Sequence, residues 1–315
     1  MSELDQVAAA ETIEGAPGTP TASVVAAGRS RTLAGDAWET LRSSWVFWAS
    51  VVVIGVLIVM AVWPGLFAHA DPLDCQASRS RGKPGGDAWF GYDVQGCDVY
   101  ARTMYGARAS IMVGAMSTVM SLIFGSAIGI YAGFYGGWVD SILSRITDIF
   151  IGIPVLLGSM IILSSIPTPP GSQFLGILKV SLAISILAWP STARVARSAV
   201  IQVKQSDFVA ASRALGASRG WMIRKHIIPN SAAPVIVIST ISLGGYIGAE
   251  ATLSYLGIGL QPPVVSWGIA INDAAAYLRN TPHMLLFPAL FLAATVLAFI
   301  ALGDQVREAL DPKTM

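Results

Sequence analysis

The chain has 315 residues, 54% of them hydrophobic and only 12% charged, with a formal net charge of +1 and a mean hydropathy of +0.62. Soluble domains carry about 25% charged residues, so the composition excludes an ordinary soluble protein and points to a polytopic membrane protein. The basic residues border apolar runs instead of interleaving with exposed aromatics, which excludes a nucleic-acid footprint.

Residues 1–44 are rich in Ala, Thr, Ser, Gly and Pro and hold no sustained apolar period. They are expected to form a disordered tail, and no apolar core begins early enough for a cleaved signal. Residues 45–67 are uncharged for 23 positions and carry Trp45 and Trp63. That length crosses a hydrocarbon core, which takes about 20 residues, and the tryptophans suit its interfaces. This is span 1. Residues 68–108 are polar, contain Cys75 and Cys97, and are the expected extracytoplasmic segment.

Residues 109–139 are uncharged for 31 positions and give span 2. Gly125, Gly129, Gly133 and Gly137 recur at every fourth position, a ridge that lets a neighbouring helix approach closely. Asp140, Arg145 and Asp148 then mark a polar end, where Arg145 and Asp148 are spaced to pair on a helix face. The uncharged run 149–178 is broken at residues 167–171, dividing span 3 from span 4. Span 4 passes Lys179, expected to snorkel or to face protein, and ends near Thr192. Span 5 covers residues 227–249 and span 6 residues 284–303. Between them Pro262, Pro263 and Trp267 sit in a Gly-rich apolar piece that reads as partly re-entrant. The expected fold is all-α, with six transmembrane helices, a five-helix core over residues 109–304 and a polar tail at 305–315.

One polar stretch, residues 205–229, interrupts this pattern. It divides at Gly216 into two short helices. Ser206 or Asp207 can cap the first, whose Phe208, Ala211 and Leu215 share a face, and Ser218 can cap the second. Pro229 marks the expected start of the next segment. Such a helix–turn–helix, apolar on one side and basic on the other, suits docking into a partner's groove. Lys and Arg placement orients the chain: with the N-terminus inside, 13 of the 20 basic residues lie on the cytoplasmic side, seven of them between spans 4 and 5. Both termini and residues 205–229 are therefore expected in the cytoplasm, and both cysteines outside.

On that side oxidation is favoured, so a structural Cys75–Cys97 disulfide is expected, with free thiols the alternative. Glu250 lies inside an apolar stretch, where a charge is costly; a place beside a water-filled path or gate and a structural, hydrogen-bonded role both fit it. No GxxxxGK[ST] loop is present, and His69, His226 and His283 are the only histidines, scattered over three regions. Neither ATP binding, nor a proton relay, nor a metal or catalytic cluster has material here, so the energy source is expected in another chain.

Within residues 205–229, Ala210-Ala211-Ser212, Gly216, and Ile228-Pro229-Asn230 resemble the EAA coupling motif of ABC importer permeases. More narrowly, the chain resembles the dipeptide/oligopeptide/nickel permease family from about residue 87 to 312. The collinear matches include Tyr105-Gly106-Ala107-Arg108, residues 133–140, Arg194 with Arg197, residues 250–257, Gln261-Pro262-Pro263, Ser266-Trp267-Gly268 and Leu302-Gly303-Asp304. Two positions depart from the family pattern. Ala210 stands where the family has an acid, so the dock is expected to rest on shape, Gly216 and nearby basic residues. Cys97 stands where the family has Arg, which strengthens the disulfide expectation.

The resemblance implies a non-catalytic subunit of an ATP-driven importer of peptides or similar solutes in the cell membrane. It implies a second, homologous permease, two ATPase subunits or domains that bind the ATP and Mg, and an extracytoplasmic substrate-binding protein. The expected ATPase-coupling residues are Phe208, Leu215 and Trp221 as apolar anchors, Arg213, and Ala210, Ala211, Ser212, Gly216, Ile228 and Pro229. The rival from another class is an ion-coupled carrier or channel working without an ATPase.

Overall fold

The protein is described by a computed structural model over residues 33–167 and 172–310. Within them the regular elements are all helices, with one isolated bridge, Tyr92 with Asp98, in the irregular segment before residue 99. Among the described residues five helices are long and apolar enough to cross a membrane, or six if one bent pair counts as a single span.

The first correction is at the N-terminal end. Leu33–Ser43 forms a helix, α1, where a disordered tail was expected through residue 44. Its Trp38 meets Phe47 edge-on at 6.3 Å, and Trp48 Nε1 donates to the Arg42 carbonyl at 3.1 Å. An eleven-residue helix is too short to stand on propensity, so tertiary packing holds it. The remainder of the expected tail, residues 1–32, lies outside the described residues, as do residues 168–171 of the expected break and 311–315. Trp45–Val62 is α2, capped by Ser44, and it ends five residues before the apolar run does. Arg108 closes that end, donating from Nε to the Ala61 carbonyl and from Nη2 to the Val62 carbonyl, both at 2.9 Å.

Val99–Tyr135 is α3, ten residues longer at its start than span 2 as read from hydropathy. Arg102 and Arg108 hid those three turns, because both charges are consumed locally. Arg102 pairs with Asp93 and reaches Asp273 at 3.5 Å. Asp98 caps α3, accepting from the Tyr100 and Ala101 N–H groups at 2.8 and 3.4 Å. Burial pushes its carboxyl up, while those two N–H bonds pull it down. A raised carboxyl is penalised in its charged form, so the penalty is full above its folded pKa and vanishes as pH falls below its unfolded one. Asp98→Asn, an equally good cap, is therefore expected to keep or raise the melting temperature at neutral pH and flatten its acid dependence. Asp98→Ala is expected to cost about 1 kcal/mol. Thermal scans against pH check both.

The glycine ridge packs as expected, but over three positions. Gly125, Gly129 and Gly133 lie against the backbone of α6, Gln173–Lys204. Gly137 is outside the ridge, opening α4 (Gly137–Ile151) with φ +57° and open space about it. α4 and α5 (Val155–Ser165) meet at an angle of 83°. Pro154 has no N–H to continue α4 and disfavours helical backbone at Ile153, so the region where span 3 was expected, from residue 149, belongs to a bent pair of helices. α6 continues twelve residues past Thr192, because its two arginines find acids on α4. Arg197 forms a two-pronged bond with Asp140, at 2.5 and 2.6 Å, and Arg194 meets Asp148 at 2.8 Å. Asp148 thus takes a partner across the bundle where a local pair with Arg145 was expected.

Ile228–Tyr255 is α9, and His283–Ala309 is α11. Between them Trp267–Ala275, α10, is short and packed inside the protein, as the re-entrant reading anticipated. Trp267 is fully buried and donates from Nε1 to the Thr103 carbonyl at 2.8 Å. The segment before α3 folds down on the bundle: Phe90 stacks on Phe287 at 3.8 Å, and a disulfide joins Cys75 to Cys97 across 22 residues. Cys75→Ser is expected to loosen residues 68–98 by about 3 kcal/mol on chain entropy. Protease nicking of that segment should then accelerate strongly while the helices stay intact.

Candidate functional site: a helical hairpin at one end of the bundle

The chain leaves α6 at Lys204, whose Nζ donates to the Phe134 carbonyl at 2.5 Å and so ties the ends of α6 and α3 together. Asp207–Ala214, α7, follows. Ser206 caps it by backbone conformation alone, its hydroxyl turned back to the Val203 carbonyl at 2.7 Å. Asp207 sits in the first turn, where the helix dipole favours an acid. At the other end Gly216 N–H bonds the Arg213 carbonyl at 3.0 Å and Ala217 N–H the Ser212 carbonyl at 3.1 Å. That pattern needs a left-handed residue, and Gly216 has φ +81°. A Cβ there would meet nothing within 4 Å, so backbone conformation, not space, selects glycine.

Ser218 then caps Arg219–Met222, α8, accepting from the Trp221 N–H at 3.4 Å. A π-helical turn, Ile223–Ile227, joins α8 to α9 without a break. The Ile228 N–H reaches back to the Ile223 carbonyl, and Pro229 follows at the first turn of α9, where its missing N–H is tolerated. A new element, α9, does begin beside Pro229 as expected, but with no break in the helical winding before it. The second arm of the hairpin and the next span are one helical body, Arg219–Tyr255.

Two faces result. Val209, Met222 and Ile227 are buried against Phe134 and Val200, seating the hairpin on α3 and α6. Phe208, Leu215 and Trp221 point away, 44%, 89% and 49% exposed. Ala210, Ala211, Arg213, Gly216, Ile228 and Pro229 are exposed with them, while Ser212 is half-buried and turned into the hairpin. There it meets a residue the sequence reading passed over. His226 Nε2 lies 3.1 Å from Ser212 Oγ, and its ring sits between Trp221 at 4.9 Å and Phe208 at 5.6 Å. No spacing rule signals a contact that crosses the Gly216 turn.

Glu250 lies far from this hairpin along α9 and is fully buried. Ser254 Oγ donates to its Oε1 at 2.8 Å, and Ser110 of α3 and Ser266 ahead of α10 face the same carboxyl. Its Oε2 has no hydrogen-bond partner. At the end opposite the hairpin are two adjoining cavities. One, of about 320 Å³, includes Lys179 and Gln261; the other, of about 430 Å³, includes His69, Asp71 and Arg108. They share Gln173, Pro263 and Val264.

Residues 125–315 match the family described as the binding-protein-dependent transport system inner membrane component. The chain belongs to that family. It is a membrane-embedded permease of the ABC importer type. The oligopeptide transport system permease protein OppC of Bacillus subtilis (strain 168) is 36% identical over 285 residues, covering 90% of this chain and 91% of its own. The dipeptide transport system permease protein DppC of the same organism is 37% identical, covering 88% and 85%. The glutathione transport system permease protein GsiD of Pectobacterium atrosepticum is 32% identical, covering 88% and 90%. Among solved structures, a chain of the MetNI methionine ABC transporter in an inward-facing conformation superposes with a TM-score of 0.53 at 19% identity, over 67% of this permease and 96% of that chain. That likeness shows the shared fold of the permease core.

Proposed function

We propose that this permease forms half of the translocation path for short peptides, driven by ATPases that dock on the hairpin of residues 205–229. The observation that carries the reading is the outward face of Phe208, Leu215 and Trp221 on an element seated on the bundle by its opposite face. Exposed aromatic and aliphatic anchors beside Arg213 and Arg219 are what a partner's groove takes up. The ATP and Mg belong to those ATPases. The other half of the path comes from a second, related permease, and the cargo arrives on a substrate-binding protein on the far side. The chain sits in the cytoplasmic (inner) membrane with both termini and the hairpin in the cytoplasm, supported by the basic bias of residues 193–226.

A peptide cargo rests on the relatives, whose named substrates, oligopeptides, dipeptides and glutathione, share a short peptide chemistry. Asp71 and Lys179 line the two adjoining cavities, a carboxylate and an ammonium of the kinds that attract the ends of a zwitterion. Glu250 acts as a fastener holding α10 to α3 and α9, not as a gate, because serines enclose it.

The deciding experiment isolates the tagged full-length permease from its native membrane. It should bring an ATPase and a second permease, and vesicles holding the complex should take up di- or tripeptides only with ATP. Uptake that follows an ion gradient without any ATPase would overturn the reading in favour of an autonomous carrier.

A further inference from the structure

We infer that His226 is a positioning residue that fastens the two arms of the hairpin, so that movement of α7 is transmitted into α9. The inference rests on the proposal that ATPases dock on this hairpin. The arms are otherwise weakly restrained. Their covalent link passes through Gly216, which has open space around it, and α7 buries a single side chain, Val209. A hinge at Gly216 would let α7 swing while α9 stayed still.

His226 blocks that swing from three directions. The Ser212 hydroxyl donates to the Phe208 carbonyl at 2.8 Å, which leaves Oγ to accept from His226 Nε2–H at 3.1 Å. Phe208 flanks the ring from α7 and Trp221 from α8. The His226 carbonyl in turn accepts from Asn230 Nδ2 at 2.6 Å, tying the same residue into the first turn of α9. These contacts converge where the helix is π-wound, Ile223–Ile227, a local winding often kept for a functional side chain. A bland reading would treat His226 as filler between two aromatic rings. Filler needs no directed N–H, and that difference can be measured.

The test uses the full permease assembled with its ATPases in lipid nanodiscs, with hydrogen exchange followed with and without ATP. In the wild type, ATP should change the exchange of both α7 and α9. His226→Phe keeps a ring between Phe208 and Trp221 but removes the donor. The α7 response should remain while the α9 response falls about fivefold, the scale of one lost hydrogen bond. His226→Gln places an amide N–H near Ser212 Oγ and should recover most of it. Ser212→Ala should match His226→Phe, and the pair together should be no worse than either alone. An unchanged α9 response in His226→Phe and Ser212→Ala, or a Gln variant no better than Phe, would overturn the latch. A wild-type α7 that ignores ATP would instead overturn the docking reading beneath it.

Discussion

Leu215→Asp is expected to release the ATPase from the permease while leaving every helix in place. Leu215 is 89% exposed at the tip of the hairpin and contributes nothing to the buried face formed by Val209, Met222 and Ile227. Removing it therefore leaves the internal packing unaltered. In a partner's groove, however, burying a leucine contributes about 1.5–3 kcal/mol, and an aspartate there would have to shed its water to enter an apolar pocket. Together these weaken association by about 100-fold or more, as for a central anchor of an interface. Pull-down of the ATPase should fail while circular dichroism of the purified permease is unchanged. Retention of a full complement of ATPase would mean that the hairpin is not the dock.

The second large effect is expected at the seam between α3 and α6. A Cβ on Gly129 would strike the Ala193 carbonyl and lie 2.7 Å from Ala196 Cβ and 2.9 Å from the Arg197 amide. At Gly125 it would lie 2.7 Å from the Trp189 carbonyl. Backbone atoms cannot rotate aside, so the helices must part along their length. Separation would also pull Arg197 from Asp140. Gly129→Leu is expected to cost about 3 kcal/mol or more, a fall of about 6 °C or more in melting temperature. Gly55→Leu is the control, since a Cβ there meets nothing within 4 Å. Equal melting temperatures for the two variants would show that the seam tolerates separation.

The membrane spans were legible because hydropathy and glycine spacing report on the two environments a spanning helix meets, lipid and another helix. The hairpin was legible through Gly216 and Ser218, whose conformational demands are local. What escaped was set by pairing across the fold. Arg102, Arg194 and Arg197 look like ends of spans when counted as charges, yet each sits within a helix because Asp93, Asp148 and Asp140 meet it from elsewhere. The kink at Pro154 was hidden because a proline in an apolar run signals a break but not its angle. His226 was hidden because a lone histidine acquires meaning only beside Ser212, Phe208 and Trp221.

The unbroken run Arg219–Tyr255 has a mechanical consequence. Its 37 residues make a rod of about 55 Å at 1.5 Å per residue. Its close contacts with α3 and α11 lie past the middle, at Ile241, Leu243, Gly244 and Ile247. Pivoted there, a tilt of about 10° would move the hairpin tip by about 6 Å and the other tip by about 3 Å, in opposite senses. The two tips are unlike. One carries the hairpin, and the other carries Glu250 and Ser254, which hold Ser266 and α10 at the end where the two adjoining cavities lie. A push at the hairpin would thus arrive at the cavities reversed in direction and about halved in size, so a passage could narrow at one end of the bundle as it widens at the other.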